Sequence, residues 1–521
     1  MERKWWTLIA VSVAIFMLLL DITVVNVALP DIQRSLHSSF QDLQWVVNAY
    51  SLTLAAFLLT AGSLADRFGR RLVFTTGLVI FTLSSAACGL AGSPLALNLF
   101  RAVQGTGGAM MFATSLALIA QAFHGKERGV AFGVFGGVIG AAVAVGPVVG
   151  GVITSGIGWE WIFFVNVPIG IGAVYLTLTQ VSESRDPNAH GVDWLGLVTF
   201  SGSLFLLVFA LIKGNEDGWG STKILSFLIA SAVLIVLFVI VERRQSRPML
   251  DLTLFRRPAF AGASIVAFSV SSAMFAMFLY LTLYIQDVLG YGPLQAGLRF
   301  LPVTLVSFFV APISGRLSVR VPVRLLLGTG LLLVSAGLLA MTAVDASSGW
   351  TVLIPGFVLA GIGVGMINPP LASTAVGVVH HSRSGMASGI NNTFRQVGIA
   401  TGIAGLGAIF QHGVTRNTEA ALAGGPARTV LHVGHEQLTG ALVSGELRPL
   451  GRGLSDAGRT ALTHAYRVGF TEAFTTILIV AACVALAGSL LAFLLVRSSD
   501  FVTSQAPAEG ESSEPAPAVA G

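Results

Sequence analysis

What this chain has least of is charge and cysteine. Of its 521 residues only 11% are Asp, Glu, Lys or Arg, and only two are cysteine. So little charge excludes a soluble domain of ordinary composition, in which about a quarter of the residues carry charge. Cys88 and Cys483 both fall inside apolar runs, which argues against a disulfide framework. There is no Gly-x4-Gly-Lys-Ser/Thr loop to cradle a nucleotide; the one Gly-Lys pair, Gly125-Lys126, is followed by Glu127. No segment between apolar runs is long enough for a nucleotide-binding domain, so ATP is excluded as a fuel. The apolar runs hold no His/Asp/Glu cluster and no nucleophile–base pair, which argues against a membrane-embedded enzyme. They do not alternate polar and apolar residues, which excludes a closed β-barrel.

What is there is hydrophobicity. Apolar residues make up 54% of the chain, and the mean hydropathy is +0.80. Runs of about 20 apolar residues, each able to cross a hydrocarbon core as a helix, recur along the whole length. They place spanning helices 1 to 14 at 5–29, 45–64, 72–92, 95–119, 129–153, 159–180, 194–213, 222–242, 259–286, 294–315, 323–344, 351–376, 385–411 and 470–496. The first run is interrupted by Asp21 and continues to Leu29 with no small-residue cleavage site, so it reads as a helix and not as a signal peptide. The expected class is an all-α polytopic membrane protein, and the lipid bilayer is its first partner.

An even number of spans puts both termini on one side. With that side taken as cytoplasmic, its segments hold Arg3, Lys4, Arg67, Arg70, Arg71, Lys126, Arg128, Arg185, Arg243, Arg244 and further arginines as far as Arg497. The short loops opposite hold only Arg34, Lys213 and Lys223. This is the positive-inside pattern. It predicts a cell (inner) membrane protein with both termini cytoplasmic, and it explains the net charge of +5 without nucleic acid. The polar segment 412–469 is expected outside the membrane between helices 13 and 14. Its His432-Val-Gly-His435 has metal-like spacing but no further ligand in register, so no metal is expected. The tail 498–521, rich in Ser, Pro, Ala and Glu, reads as disordered.

The chain repeats itself. Gly105-Thr-Gly107-Gly-Ala-Met110 returns as Gly361-Ile-Gly363-Val-Gly-Met366, an offset of 256 residues. At the same offset Gly129-Val-Ala-Phe-Gly133 matches Gly385-Met-Ala-Ser-Gly389. Helices 1–6 therefore match helices 9–14, with 7 and 8 inserted. The expected units are an N-terminal half (1–183), the inserted pair with its linkers (184–257), a C-terminal half (258–497) and the tail. Two six-helix halves imply a site at their interface near mid-bilayer.

A few residues in the spans carry chemistry. Asp21 is the one carboxylate well inside an apolar run, about 12 Å from Leu29 at 1.5 Å per residue. Such residues are costly and usually functional. Low dielectric favours the neutral acid, which poises the group to take a proton from one side and return it to the other; the bland alternative is a static hydrogen bond. Arg101 lies at a similar depth, roughly 10 Å in from the start of helix 4, so the two can interact directly or through water. The repeat puts Phe357 where Arg101 stands, so this chemistry belongs to one half. Arg299 and Arg395 also fall inside spans as possible cavity residues. Arg299 has snorkelling or pairing with Asp287 as alternatives, and Arg395 is deeper. With one buried acid beside three arginines, the cavity need not favour cations. Trp45, Tyr50, Phe112, Phe275, Phe278 and Tyr284 could line it.

Four motifs in order resemble the major facilitator superfamily, specifically its 14-helix drug:proton antiporters, over nearly the whole chain. They are Leu20-Asp21 to Asn26 and Pro30 in helix 1, the charged turn Gly62 to Asp66-Arg67-Phe-Gly69-Arg70-Arg71, Arg101-Ala-Val-Gln104-Gly105 in helix 4, and Gly133, Gly137, Gly146-Pro147 and Gly150-Gly151 in helix 5. Ala142 stands where a further glycine is usual, and Val319 replaces the Asp66 equivalent in the second half.

The resemblance implies the major facilitator fold and a monomeric, proton-coupled antiporter that exports amphipathic small molecules by alternating access. Its fuel is a proton gradient, with no cofactor and no ATP. It implies coupling and substrate roles for Asp21, Asn26, Arg101 and Gln104, and a gating role for Gly62, Asp66, Arg67, Gly69, Arg70 and Arg71, with Asp66 bonded to a helix N-terminus of the opposite half. It also implies a close, rockable contact of the helix 5 glycines with helix 10. The alternative within transport is a narrow-range exporter of one endogenous metabolite or self-made antibiotic.

Overall fold

A computed structural model describes residues 2–123, 125–185, 193–245, 248, 250–318, 320–377, 384–423, 426–432, 435–444, 447–452 and 454–497. The expected tail therefore lies outside the described residues. Among the described residues fourteen long helices run along the chain. They are α1 (Arg3–Leu36), α2 (Phe40–Phe68), α3 (Arg70–Gly89), α4 (Pro94–Ala122), α5 (Gly125–Gly156), α6 (Trp161–Gln180) and α7 (Trp194–Asp217). Then follow α8 (Thr222–Arg244), α9 (Pro258–Val288), α10 (Pro293–Leu317), α11 (Val323–Ala340), α12 (Ile354–Gly377), α13 (Ser384–Leu422) and α14 (Asp456–Leu495). Thirteen are long and apolar enough to cross a membrane as single helices, and α5, bent by 41° between Ala142 and Ala144, makes the fourteenth. The bend has a local cause. Pro147 has no N–H for the carbonyl of Val143, four residues back, and its ring crowds that turn.

Helix starts follow from side chains that satisfy free backbone N–H groups. Ser39 accepts from the N–H of Asp42 while the Asp42 carboxylate accepts from the N–H of Ser39, a reciprocal cap on α2. Ser93 before Pro94, Asp193, Ser221 and Ser455 cap α4, α7, α8 and α14. Large apolar side chains stay exposed on the outer surface, among them Leu83, Leu95, Ile229, Val236 and Leu494. A surface of this kind suits lipid and not water. The chain is a multi-pass membrane protein.

The internal repeat is visible as packing. Helices α1–α6 pack with one another and α9–α14 do likewise. Gly105 lies against the backbone of Tyr50 on α2, and Gly107 faces Phe81 on α3, where a Cβ would come within 2.7 Å of the Phe81 nitrogen. Their counterparts repeat this: Gly361 faces Val303 on α10 and Gly363 faces Val334 on α11, with Cβ clearances of 2.7 and 2.8 Å. Small residues let two backbones approach where lipid supplies no hydrophobic drive.

The halves meet along two seams, α5 with α10 and α2 with α13, which the repeat makes equivalent. The inserted helices sit outside the second seam. Leu204, Val208 and Ile212 of α7 pack with Leu52 and Ala55 of α2 and Ala400 and Ala404 of α13, and α8 packs mainly on α7.

The segment 412–469 is partly helical. Its two ends extend α13 to Leu422 and begin α14 at Asp456, with short helices His435–Ser444 and Leu447–Leu450 between. The extensions hold together because each keeps a buried stripe, Val414, Thr418 and Leu422 against Leu462, Tyr466 and Gly469. Gly469 lies flat on Thr418, and the rings of Phe410 and Phe470 are 4.9 Å apart. The side chains of His432 and His435 lie outside the described residues, and among the described residues no metal-binding cluster occurs.

Candidate functional site

Asp21 is fully buried in the N-terminal half. Its Oδ2 accepts from Nη1 of Arg101 at 2.5 Å, and its Oδ1 accepts from Nε2 of Gln104 at 3.0 Å and Nδ2 of Asn166 at 3.2 Å. Arg101, equally buried, also donates from Nη1 to Oε1 of Gln104 at 2.7 Å and from Nε to the Val46 carbonyl at 3.1 Å. Its guanidinium lies 4.2 Å from the centre of the Tyr50 ring. Buried charges are tolerated when paired and hydrogen-bonded, and both conditions hold here. Asn166 passes the network on to Ser85 Oγ at 3.1 Å, which donates to the Phe163 carbonyl at 2.9 Å.

Each partner is placed by its helix. Arg101 and Gln104 are three residues apart on one face of α4, so both reach the same carboxylate. Asn166 stands where α6 breaks, between Trp161–Phe164 and Asn166–Gln180. Pro168 cannot donate to the Phe164 carbonyl, which fits a break at that point. Asn166 and Ser85 are site residues that sequence reasoning missed; the only available signal was the Asn-x-Pro at the start of a span.

A small cavity of about 20 Å³, room for about one water, lies between the halves. It is lined by Ile22, Thr23 and Asn26 of α1, Val47 of α2, Pro147 of α5, Phe275, Phe278 and Thr282 of α9, Phe300 of α10, and Ile399 and Ile403 of α13. Asp21 itself points the other way, into the core of its half. Asn26 faces the cavity and donates to the Ile22 carbonyl at 3.2 Å. Of the aromatics considered, Phe275 and Phe278 line it. Trp45 packs on Phe205 of α7, Tyr50 lies under Arg101, Phe112 joins the core of the N-terminal half, and Tyr284 stacks on Phe474.

The end of the bundle away from the termini is sealed across both seams. Gln286 of α9 donates to the Val27 carbonyl at 2.7 Å, and Gln44 of α2 and Tyr280 of α9 both donate to the Ile403 carbonyl, at 3.0 and 2.6 Å. On the other seam the Leu294 N–H donates to Ser155 Oγ at 3.0 Å, and a Cβ at Gly151 would come within 2.7 Å of the Leu294 Cα. The helix 5 glycines divide their contacts. Gly146 and Gly150 lie on Thr23 and Val24 of α1, while Gly151 and the Pro147 carbonyl meet Leu294 and Gly297 of α10. Towards the termini the α5–α10 seam opens: Gly140 has Phe308 at 3.7 Å, and Gly137 and Gly136 have nothing within 4 Å. The side chain position of Gly133 lies outside the described residues.

The charged turn makes contacts that the sequence did not suggest. Gly69 adopts φ +119°, a conformation that only glycine takes easily. The Glu183 carboxylate, from the linker after α6, accepts from the N–H groups of Arg71 and Leu72 at 3.0 and 3.1 Å, and the Arg70 N–H donates to the Ser184 carbonyl at 2.9 Å. A carboxylate at this N-terminus satisfies free donors and suits the helix dipole. Arg71 Nη1 also reaches the Val181 carbonyl at 3.3 Å, Arg67 lies over Phe68, and Gly62 has open space around it. These contacts run to the turn's own half. The Asp66 carboxylate lies outside the described residues.

The remaining arginines separate. Neither Arg299 nor Arg395 is among the residues that line the cavity described above. Arg299 lies 3.4 Å from the Tyr291 ring centre and 5.1 Å from that of Trp350 and donates to the Gln295 carbonyl. Arg395 is half-buried on α13 and donates from Nη2 to Asn368 Oδ1 of α12 at 2.7 Å.

Residues 11–403 match the family model described as Major Facilitator Superfamily. A multidrug resistance protein, Stp, of Mycobacterium tuberculosis is 40% identical over 404 residues, covering 77% of this chain and 75% of that one. A tetracenomycin C resistance and export protein of Streptomyces glaucescens is 36% identical over 409 residues, covering 78% and 76%. The fold is also that of a bacterial homologue of the human lysosomal transporter Spinster, solved in an inward-facing and occupied conformation. The TM-score is 0.62 at 20% identity, covering 95% of this chain and 98% of that one. The matched family model and the two six-helix halves agree: this chain belongs to the major facilitator superfamily and is a membrane transporter of small molecules, not an enzyme.

Proposed function

We propose that the chain exports amphipathic small molecules from the cytoplasm in exchange for protons, acting as a monomer in the cell membrane with both termini cytoplasmic. The observation that carries this reading is the Asp21–Arg101 pair, an ionisable couple sealed from solvent one residue away from the cavity wall. Protonating Asp21 would cancel its attraction for Arg101 and leave Gln104 and Asn166 to find new partners. Ile22, Thr23 and Asn26 continue from Asp21 onto the cavity face of α1, and Thr23 and Val24 bear Gly146 and Gly150 of α5. A change at the carboxylate is thereby felt at the seam and at the substrate surface together, the kind of two-state element that coupling needs.

The names of the relatives, for multidrug resistance and for antibiotic export, support a drug as cargo. The excess of arginine on one side supports the orientation. That one relative is named for a single antibiotic favours, as a second reading, a narrow-range exporter.

The test is transport in proteoliposomes with an imposed pH gradient, using cationic, neutral and anionic compounds. Asp21→Asn is expected to abolish gradient-driven export with the protein folded and inserted. Export at the wild-type rate from that variant would remove Asp21 from the mechanism.

A further inference from the structure

The cavity between the halves is apolar and aromatic, and the pair at Asp21 and Arg101 contributes no net charge to it. The stripe of α13 that lines it also carries an arginine. Ile399 and Ile403 line the cavity, and Arg395 lies one turn before Ile399 on the same stripe, towards the end where the α5–α10 seam opens. The other faces of α13 are occupied: Gly398 and Gly402 press on Phe268 and Ser272 of α9, and Ala400 and Ala404 on α2 and α7. Arg395 is held by the neutral amide of Asn368, and among the described residues no carboxylate forms an ion pair with it. A half-buried guanidinium held by a neutral amide has donors to spare for an anionic partner.

Resting on the export reading above, we propose that Arg395 recognises the polar end of the substrate, and that the preferred substrates are flat aromatic molecules bearing an anionic oxygen. The guanidinium would pair with that oxygen, and Phe275, Phe278 and Phe300 would hold the rings. Asn368 is a positioning residue that holds the guanidinium through its amide oxygen. The C-terminal half thus selects by charge, and lipophilic cations are the disfavoured class.

The test uses two dyes with one xanthene frame and opposite charge, fluorescein and rhodamine 6G, with binding read by fluorescence anisotropy on the purified full chain. Wild type is expected to bind fluorescein more tightly. Arg395→Gln should weaken fluorescein by about 10- to 100-fold, the range expected for a hydrogen bond to a charged group, and leave rhodamine 6G within about twofold. Arg395→Lys should restore most of the fluorescein affinity. Asn368→Asp, which gives Arg395 a carboxylate of its own, should reproduce the loss with the arginine still present, and it decides the matter if Arg395→Gln fails to fold.

Unchanged fluorescein affinity in Asn368→Asp, equal losses for both dyes, or no fluorescein binding by wild type would each overturn the inference. Gradient-driven efflux of either dye, measured separately with Asp21→Asn, keeps the two readings apart. Export without charge discrimination sinks this one alone, and discrimination without gradient-driven export sinks the other.

Discussion

At the scale of single residues, the Asp21–Arg101 pair dominates. Breaking a buried pair by removing one member leaves an uncompensated charge, a loss of about 3–5 kcal/mol. Arg101→Leu is therefore expected to lower the thermal midpoint in lipid nanodiscs sharply. The double variant Asp21→Asn/Arg101→Leu should recover part of that loss while remaining uncoupled, because no charge is then stranded. Equal destabilisation by the single and the double variant would show that packing, not charge, holds the site.

Asp21 and Arg101 were legible because an ionised group in an apolar run is rare and costly, and Gln104 because it shares a helical face with Arg101. Asn166 and Ser85 were not, since neutral polar residues occur throughout such spans and only the folded chain brings α3 and α6 to α1. Glu183 was hidden for the same reason. Its role depends on how the linker after α6 turns back over the start of α3.

At the scale of elements, α5 is the hinge between packing and motion. Its bend follows from Pro147, and its glycines set how closely α1 and α10 approach. Gly151→Val would place side-chain atoms against the Leu294 Cα and the Pro293 carbonyl, backbone atoms that cannot move aside cheaply. The variant is expected to prise apart the sealed end. A cysteine introduced at Ser155 should then react faster with a membrane-impermeant maleimide, and transport should fall at least about tenfold, a barrier change of about 1.4 kcal/mol. Unchanged labelling would show that the seam does not depend on this glycine. Hydropathy placed all fourteen helices, because twenty apolar residues have few other fates. It misjudged the ends of α13 and α14, where the buried stripe is carried on helices that are otherwise polar and the periodicity outlasts the hydrophobic run.

At the scale of the whole molecule, transport requires the sealed end to open. Replacing Ser155 and Leu294 by cysteines in a Cys483→Ser background joins α5 to α10 where the Leu294 N–H already donates to the Ser155 hydroxyl. Oxidation is expected to stop export and reduction to restore it, read in the same proteoliposomes. Export that continues under oxidation, with the cross-link confirmed by mass shift, would mean that this end never parts. The repeat made the match of helices 1–6 to helices 9–14 readable in advance, since matching glycines recur at one offset; the α2–α13 seam shows itself only in the fold. The repeat gave no sign of where α7 and α8 would dock, because inserted helices have no counterpart to copy.

Where the N-terminal half has Arg101, the C-terminal half has Phe357, buried against Phe300 at 5.9 Å between ring centres. Such a lopsided pair of duplicates keeps the buried ion pair to one half. On the export reading proposed above, selection, or a protein engineer, could redesign what is carried by rewriting α12 and α13 without touching Asp21 and Arg101.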